Sequence, residues 1–345
     1  MSGGSESRLT VLMPVRDGER FLQEAIDSIL GQSWREFEFL IVDDGSTDRT
    51  PAILAENAAR DGRIRPFRVD AGAGIAGALN RGLELARGGL VARMDSDDVA
   101  LPHRLKLQVD FMQRHPEIGV CGGALSVYER PGEQWIPPRT HDGILVRMLF
   151  ECPLFHPTVI FRKEIVCRAG GYSSNFPAAE DYELWQRLAV SHGVRFANLP
   201  QNLIQYRTHP ERDRSAYIGR QRQTASSVRS MLLAAIDLSP NGVERACHDA
   251  LAREIDGTNL PAIADCLAWI ERIEAANRVG KMFGEDGLDE ELRQRWEDIC
   301  VQAACRRRSD ALMIFRIDRG LGPLSMARAL ARMVWHWWRH DCRPQ

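Results

Sequence analysis

LTVLMPVRDGERFLQEAIDSILGQSWREFEFLIVDDGSTDRT, residues 9–50, decides the fold. Its opening LTVLMPV is a continuous apolar run, the length of a strand buried on both faces. Phe21, Leu22, Ala25, Ile26, Ile29 and Leu30 then recur at i, i+4 and i+8, which predicts an amphipathic helix. FEFLIVDD (37–44) reads as a second strand and 51–60 as a second helix. IRPFRVD (64–70), a helix around 75–87 and GLVARMD (89–95) repeat the unit. Such alternation predicts a mostly parallel sheet flanked by helices. Residues 118–129, 157–164 and 194–207 also read as strands, with a helix over 180–192, so the sheet is expected to have a mixed edge. From about residue 215 onward every segment has helical spacing. The expected organisation is an α/β domain over 1–215 and an α-helical C-terminal region over 216–345.

Composition narrows the function by exclusion. The chain has 345 residues, 44% of them hydrophobic, which is enough for a sizeable core. With 45 Lys+Arg against 47 Asp+Glu, the formal charge of −2 argues against a basic nucleic-acid binder. The total hides an asymmetry: residues 306–345 carry +6 and the remainder −8. No uninterrupted apolar run is long enough to span a bilayer, and MSGGSESR lacks the apolar core of a signal peptide, so a cytoplasmic location is expected. Eight cysteines without a C-x-x-C pair read as free thiols of a reducing compartment rather than a zinc cluster.

The acids mark where chemistry is expected. In open α/β sheets ligands bind beyond the carboxyl ends of strands. Here the second strand ends in Asp43-Asp44 and the fourth in Asp95-Ser96-Asp97-Asp98. On an extended chain Asp95 and Asp97 project to one side. Clustered carboxylates repel one another unless a cation joins them, and all-oxygen donors suit Mg²⁺ or Mn²⁺. Turn formation and helix capping explain Asp/Ser clusters equally well. AGAGIAG (71–77) lacks the spacing of a dinucleotide fingerprint, and no Walker loop is present. Glu180-Asp181 opens the helix EDYELWQRL, where acids either oppose the helix dipole or act as a general base.

Residues 9–50, ALNRGLELARGGLVARMDSDDVALPHRL (78–105) and EDYELWQRL (180–188) together resemble family-2 glycosyltransferases of the GT-A fold. The resemblance implies an inverting transferase that takes a sugar from a nucleotide-diphosphate donor, with a UDP-sugar expected, and needs Mn²⁺ or Mg²⁺. It places Pro14, Val15 and Arg16 around the base, Glu19 and Asp44 along base and ribose, and Asn80 in the block before the metal motif. Arg16 stands where many relatives carry Tyr, and its guanidinium plane offers an alternative stacking surface. Asp95 falls near the ribose and the metal, Asp97 on the metal, and Asp181 on the catalytic base with Glu180 orienting it. In QYRTHPERDRS (205–215), Arg207 matches a phosphate contact and His209 a further metal ligand; His156 matches a position near the acceptor pocket. The implied acceptor is a saccharide or lipid-linked hydroxyl in polysaccharide or glycolipid assembly. A nucleotidyltransferase on a similar sheet, or a silent nucleotide-sugar-binding module, are the rival readings.

SMARALARMVWHWWRH (325–340) carries Met326, Leu330, Met333, Val334 and Trp337 on one face and Arg328, Arg332, His336 and Arg339 on the other. A basic, Trp-rich amphipathic helix suits peripheral contact with the inner face of a membrane, or ordinary packing on the protein body.

Overall fold

The computed structural model describes residues 9–70, 72–208, 214–253 and 260–306. They form two compact units, the first running to Met148 and resuming over Cys152–Val228. The second comprises Leu149–Glu151 and the chain from Arg229 onward.

In the first unit the expected alternation appears as β1 (Leu9–Val15), α1 (Leu22–Leu30), β2 (Glu38–Asp43), α2 (Thr50–Arg60), β3 (Ile64–Arg68), α3 (Gly74–Leu85) and β4 (Leu90–Arg93). Next come β5 (Val99–Ala100), α4 (Arg104–Arg114), β6 (Ile118–Val127), β7 (Gln134–Trp135) and α5 (His141–Met148). β8 (Ile160–Arg162), α6 (Lys163–Arg168), α7 (Glu180–His192) and β9 (Arg195–Tyr206) follow. The sheet order is β3-β2-β1-β4-β8-β6-β9-β5, with β7 on β6. β1 to β4 pair in parallel, and β8 runs antiparallel between β4 and β6. β6 and β9 are again parallel. The sheet is mixed because β8 runs antiparallel in its interior and β5 antiparallel at its edge, and the carboxyl ends of β1, β2, β4, β6 and β9 share one side of the sheet.

Burial explains why these runs are strands. Leu9, Val11 and Met13 of β1 pack in one core with Ile26 and Ile29 of α1 and Leu105 and Val109 of α4. Leu12, on the other face of β1, is equally buried beneath α3, where a Cβ on Gly82 would meet its side chain. The strand expected over 157–164 is shorter than its apolar pattern. His156–Thr158 form a 3₁₀ turn and Lys163 opens α6, leaving three residues in the ladder. Pro157 has no N–H to give to a ladder, and the Thr158 hydroxyl turns back to the Phe155 carbonyl at 2.7 Å.

Gly88 enters β4 where no side chain fits. A Cβ there would lie 2.5 Å from the Thr10 backbone nitrogen and 2.7 Å from the Leu9 carbonyl carbon. Backbone cannot step aside as a side-chain tip can, so Gly88→Ala is expected to destabilise by about 1–3 kcal/mol. A urea midpoint that falls at unchanged m-value would register it; an unchanged midpoint would contradict it.

The second unit is helical among its described residues, as expected: it contains α9 (Gly242–Leu251), α10 (Ile263–Gly280), α11 (Glu285–Arg306) and the end of α8 (Arg214–Ala234). Asn241 and Glu244 close a reciprocal capping box on α9. Buried His248 accepts the Trp269 indole N–H at Nδ1 (3.2 Å), so its Nε2 carries the proton toward the Leu149 carbonyl (3.0 Å). No described helix is long and apolar enough to cross a membrane. The basic helix read over 325–340 lies outside the described residues.

Candidate active site

Two acidic turns, after β2 and β4, and the start of α7 lie on the carboxyl side of the sheet. β4 stops at Arg93, and residues 96–98 form a turn, so Asp95 and Asp97 do not sit on an extended strand as the sequence pattern suggests. The turn brings a third acid with them. Carboxylate oxygens of Asp95, Asp97 and Asp98 lie within 4.8 Å of one another. Asp98 is buried; its Oδ1 accepts the Arg207 backbone N–H at 2.9 Å, while Oδ2 has no hydrogen-bond partner among the described residues. Burial, reinforced by Asp95 and Asp97, pushes the Asp98 carboxyl well above the ordinary range. Burial also raises Asp95, against the pull of Arg93. An all-oxygen donor set of three close carboxylates with one orphaned buried oxygen fits a hard divalent cation.

Two buried guanidiniums lie beneath these acids. Arg93, the last residue of β4, is 3% exposed and ion-paired with Asp95, and its Nε has no hydrogen-bond partner among the described residues. Arg104 is buried on α4, donates to the Arg93 carbonyl, and passes Nε–H to Gln108 at 3.1 Å. Gln108 in turn reaches the Thr158 carbonyl at 2.7 Å. Arg93 and Asp98 did not emerge as site residues from sequence reasoning. Their signals were an Arg inside the apolar run GLVARMD and the fourth letter of DSDD.

Glu180 and Asp181 begin α7, with Asp181 Oδ1 accepting the Tyr182 N–H at 2.7 Å and Oδ2 3.7 Å from the Cys152 thiol. Burial, and then the charge of Asp181, push Glu180 up to about 7; burial raises Asp181 as well. The dipole of α7 favours the anions here, but desolvation outweighs it. Arg93 lowers Asp95, Glu180 and Asp181 alike, so its charge serves both acid groups.

The raised Glu180 has a consequence for stability. The folded state holds its proton from the ordinary 4.5 up to about 7, so the cost of burying this group's charge is absent below pH 4.5 and full above pH 7. Glu180→Gln is therefore expected to stabilise the protein at pH 8 by up to about 3 kcal/mol, and by much less at pH 5. Chemical denaturation of both proteins at the two pH values measures it; an equal gain at both would contradict the assignment.

The residues expected around the nucleotide fall into two groups. Pro14 and Val15 end β1 beside Val42 and Asp43 of β2. Arg16 is exposed, with Nη1 3.6 Å from Asp44 Oδ2. The buried Asp44 carboxylate accepts the Ala73 and Gly74 N–H groups at the start of α3, each at 3.1 Å. Glu19 lies further out and accepts the Arg49 N–H at 3.0 Å before α2. Asn80 faces elsewhere: its amide donates to the Tyr172 carbonyl and accepts the Tyr172 N–H, both at 2.8 Å. Gly171, at φ +71°, leaves room for it, since a Cβ would lie 2.4 Å from Asn80 Oδ1. His156 is buried with Nε2 3.0 Å from the Tyr172 hydroxyl, and burial holds its pKa well below the usual value. Arg207 contacts the acidic turn. His209 lies outside the described residues.

A cavity of about 320 Å³ is lined by Glu117, Arg168, His192 and Arg195 at the starts of β6 and β9. It is on the side of the sheet away from the acids, so it is not the candidate site.

Comparison with known proteins identifies the family and the fold. The sequence model of Glycosyl transferase family 2 matches residues 10–174. A Haemophilus influenzae protein named an uncharacterized glycosyltransferase is 30% identical over 233 residues, 64% of this chain and 72% of its own length. The O-antigen biosynthesis glycosyltransferase WbnJ of Escherichia coli is 30% identical over 205 residues, 58% of this chain and 80% of its own. Among solved structures, S. aureus TarS 1–349 in complex with UDP-GlcNAc superposes with a TM-score of 0.57 at 18% identity, covering 87% of this chain and 91% of that one. The mixed sheet flanked by helices, followed by C-terminal helices, is therefore a GT-A-like fold.

Proposed function

The chain belongs to glycosyltransferase family 2, and on that premise we propose an inverting, metal-assisted transfer of a sugar from a nucleotide-diphosphate donor to an acceptor hydroxyl. The observation that carries this reading is the pair of acid groups, Asp95–Asp97–Asp98 and Glu180–Asp181, that share the buried charge of Arg93. One group suits a cation and a diphosphate, the other a proton.

Asp181 is the proposed base. Its carboxylate takes the proton of the acceptor hydroxyl as that oxygen bonds to the anomeric carbon. The carbon–oxygen bond to the diphosphate breaks on the opposite face, its electron pair leaves with the diphosphate, and the configuration inverts. Glu180, with a pKa pushed up to about 7, keeps its proton below that pH. The pair then holds one negative charge, concentrated on Asp181. Tyr182 N–H and the Cys152 thiol fix the direction of that carboxylate. Mn²⁺ or Mg²⁺, held by Asp97 with Asp95 and Asp98, would supply positive charge to the departing diphosphate.

Arg16 and Asp44, beside Pro14 and Val15, are the proposed base-side wall. An ionised Asp44 only accepts hydrogen bonds, which suits the N–H edge of a nucleobase such as uracil. A UDP-sugar is the proposed donor, and TarS was solved with one. The proposed acceptor is a saccharide or lipid-linked hydroxyl in polysaccharide or glycolipid assembly, a reading supported by the name of the O-antigen relative. Residues 1–215 would form the catalytic domain.

The test is a panel of UDP-, GDP- and dTDP-sugars with Mn²⁺ and glycan acceptors, with products identified by mass spectrometry and anomeric NMR. Release of nucleoside diphosphate with an inverted glycosidic bond is the expected result. Release of pyrophosphate would favour a nucleotidyltransferase. Donor binding with neither transfer nor hydrolysis would favour a silent binding module.

A further inference from the structure

Arg207 joins the end of β9, α1 and the segment after β6 to the acidic turn. It follows β9, is 9% exposed, and makes three polar contacts. Its backbone N–H donates to Asp98 Oδ1 at 2.9 Å, its Nε–H to the Asp97 carbonyl at 3.0 Å, and its Nη2 to Glu24 Oε2 of α1 at 2.6 Å. Its guanidinium carbon lies 4.4 Å from the Phe21 ring centroid and 3.9 Å from that of Tyr128. Tyr128 Oη donates to Glu24 at 3.1 Å, which holds the Arg207 partner itself. The next residue is also anchored: Thr208 N–H and Oγ1 both donate to Glu129 Oε2, at 2.9 and 2.8 Å. Two of the three Arg207 donors go to the turn that carries Asp97.

We infer that Arg207 is a positioning residue that holds the Asp97–Asp98 turn in its cation-binding conformation. The inference rests on the reading of Asp97 as a cation ligand. Three carboxylates within 4.8 Å repel one another, and a turn without regular ladder bonds has little of its own to resist that. The guanidinium supplies both a positive charge and a directed bond to the Asp97 carbonyl. Its planar fork matters, because a lysine keeps the charge but neither the Nε–H geometry nor the flat stacking surface.

Charge and position predict opposite signs. As a nearby charge alone, Arg207 opposes cation binding, so its removal would tighten Mn²⁺. As a brace it preorganises the ligands, and its loss would weaken Mn²⁺. A direct phosphate contact predicts a third result: Mn²⁺ affinity without nucleotide stays unchanged and only nucleotide affinity falls.

The experiment titrates the full chain with MnCl₂ alone, without nucleotide, followed by water-proton relaxation. Arg207→Lys and Arg207→Ala are expected to weaken Mn²⁺ about tenfold or more, within the range seen when partners of metal ligands are removed. Glu24→Gln, an exposed substitution that leaves the guanidinium in place, is expected to weaken it by a smaller factor in the same direction. It keeps the test decisive if Arg207→Ala does not fold. Asp97→Ala is the control. Loss of Mn²⁺ in Asp97→Ala with unchanged or tighter Mn²⁺ in the Arg207 variants overturns the brace and leaves the cation reading standing. No change in any variant overturns both.

Discussion

Asp181→Asn is expected to lower kcat by about 10²–10⁴-fold while donor affinity stays near that of the parent protein. Asparagine keeps the size and the acceptor oxygen, so the Tyr182 N–H that Asp181 Oδ1 accepts at 2.7 Å retains its partner. The fold should tolerate the change, because burial already disfavours the charged form of Asp181 and the amide is neutral. What disappears is the lone pair able to take a proton. The pH dependence adds a second signature. A base acts when ionised, so turnover is present above its pKa and is lost as pH falls through it. Burial raises the pKa of Asp181, which places that acid limb above the 3.8 of an ordinary aspartate. In Asp181→Asn the limb should vanish along with the rate. Turnover close to that of the parent, or an unaltered limb, would remove Asp181 from the role.

The second large effect concerns the cation. Asp97→Ala is expected to weaken Mn²⁺-dependent binding of nucleoside diphosphate by more than about 100-fold, since loss of an outer partner alone costs 10–100-fold. Removal of one acid from three also ends the repulsion of Asp97 on Asp95 and Asp98. Without metal the variant should therefore be no less stable than the parent, and with saturating Mn²⁺ clearly less. This crossing of the two stabilities separates a ligand from a structural acid, whose loss would cost stability in both conditions. Calorimetry with Mn²⁺ and UDP, and melting curves with and without metal, measure both parts. Unchanged affinity would refute the assignment.

The architecture is largely legible in the sequence. Apolar runs with period-2 or doubly buried character and helical stripes are local signals, so β1 through β4 and the helices between them could be read from adjacent residues. The elements missed or mis-sized were those where local pattern is weak. α4 has an apolar face diluted by Arg104, Lys106 and Gln108, of which Arg104 and Gln108 are buried and bonded rather than exposed. The strand around 157–164 keeps only three residues between a proline turn and the start of α6.

The site divides along a similar line. That acids sit at strand ends and at the start of α7 is a property of the sequence, and so is the resemblance that gives those acids roles. Their partners are not. Asn80 meets Tyr172 across 92 residues, Arg207 meets Asp98 across 109, and Arg207 meets Glu24 across 183. Hydrogen bonds of that range leave no trace in spacing, because either partner could be satisfied by water in an unfolded chain. The sequence by itself determined a GT-A-like sheet and the acids that line its carboxyl edge. Only the tertiary structure decided that a turn gathers three of them, that Arg93 lies buried among them, and that Arg207 holds them. The physical reason is that like charges gather only where distant parts of the chain supply the opposing charge and directed donors.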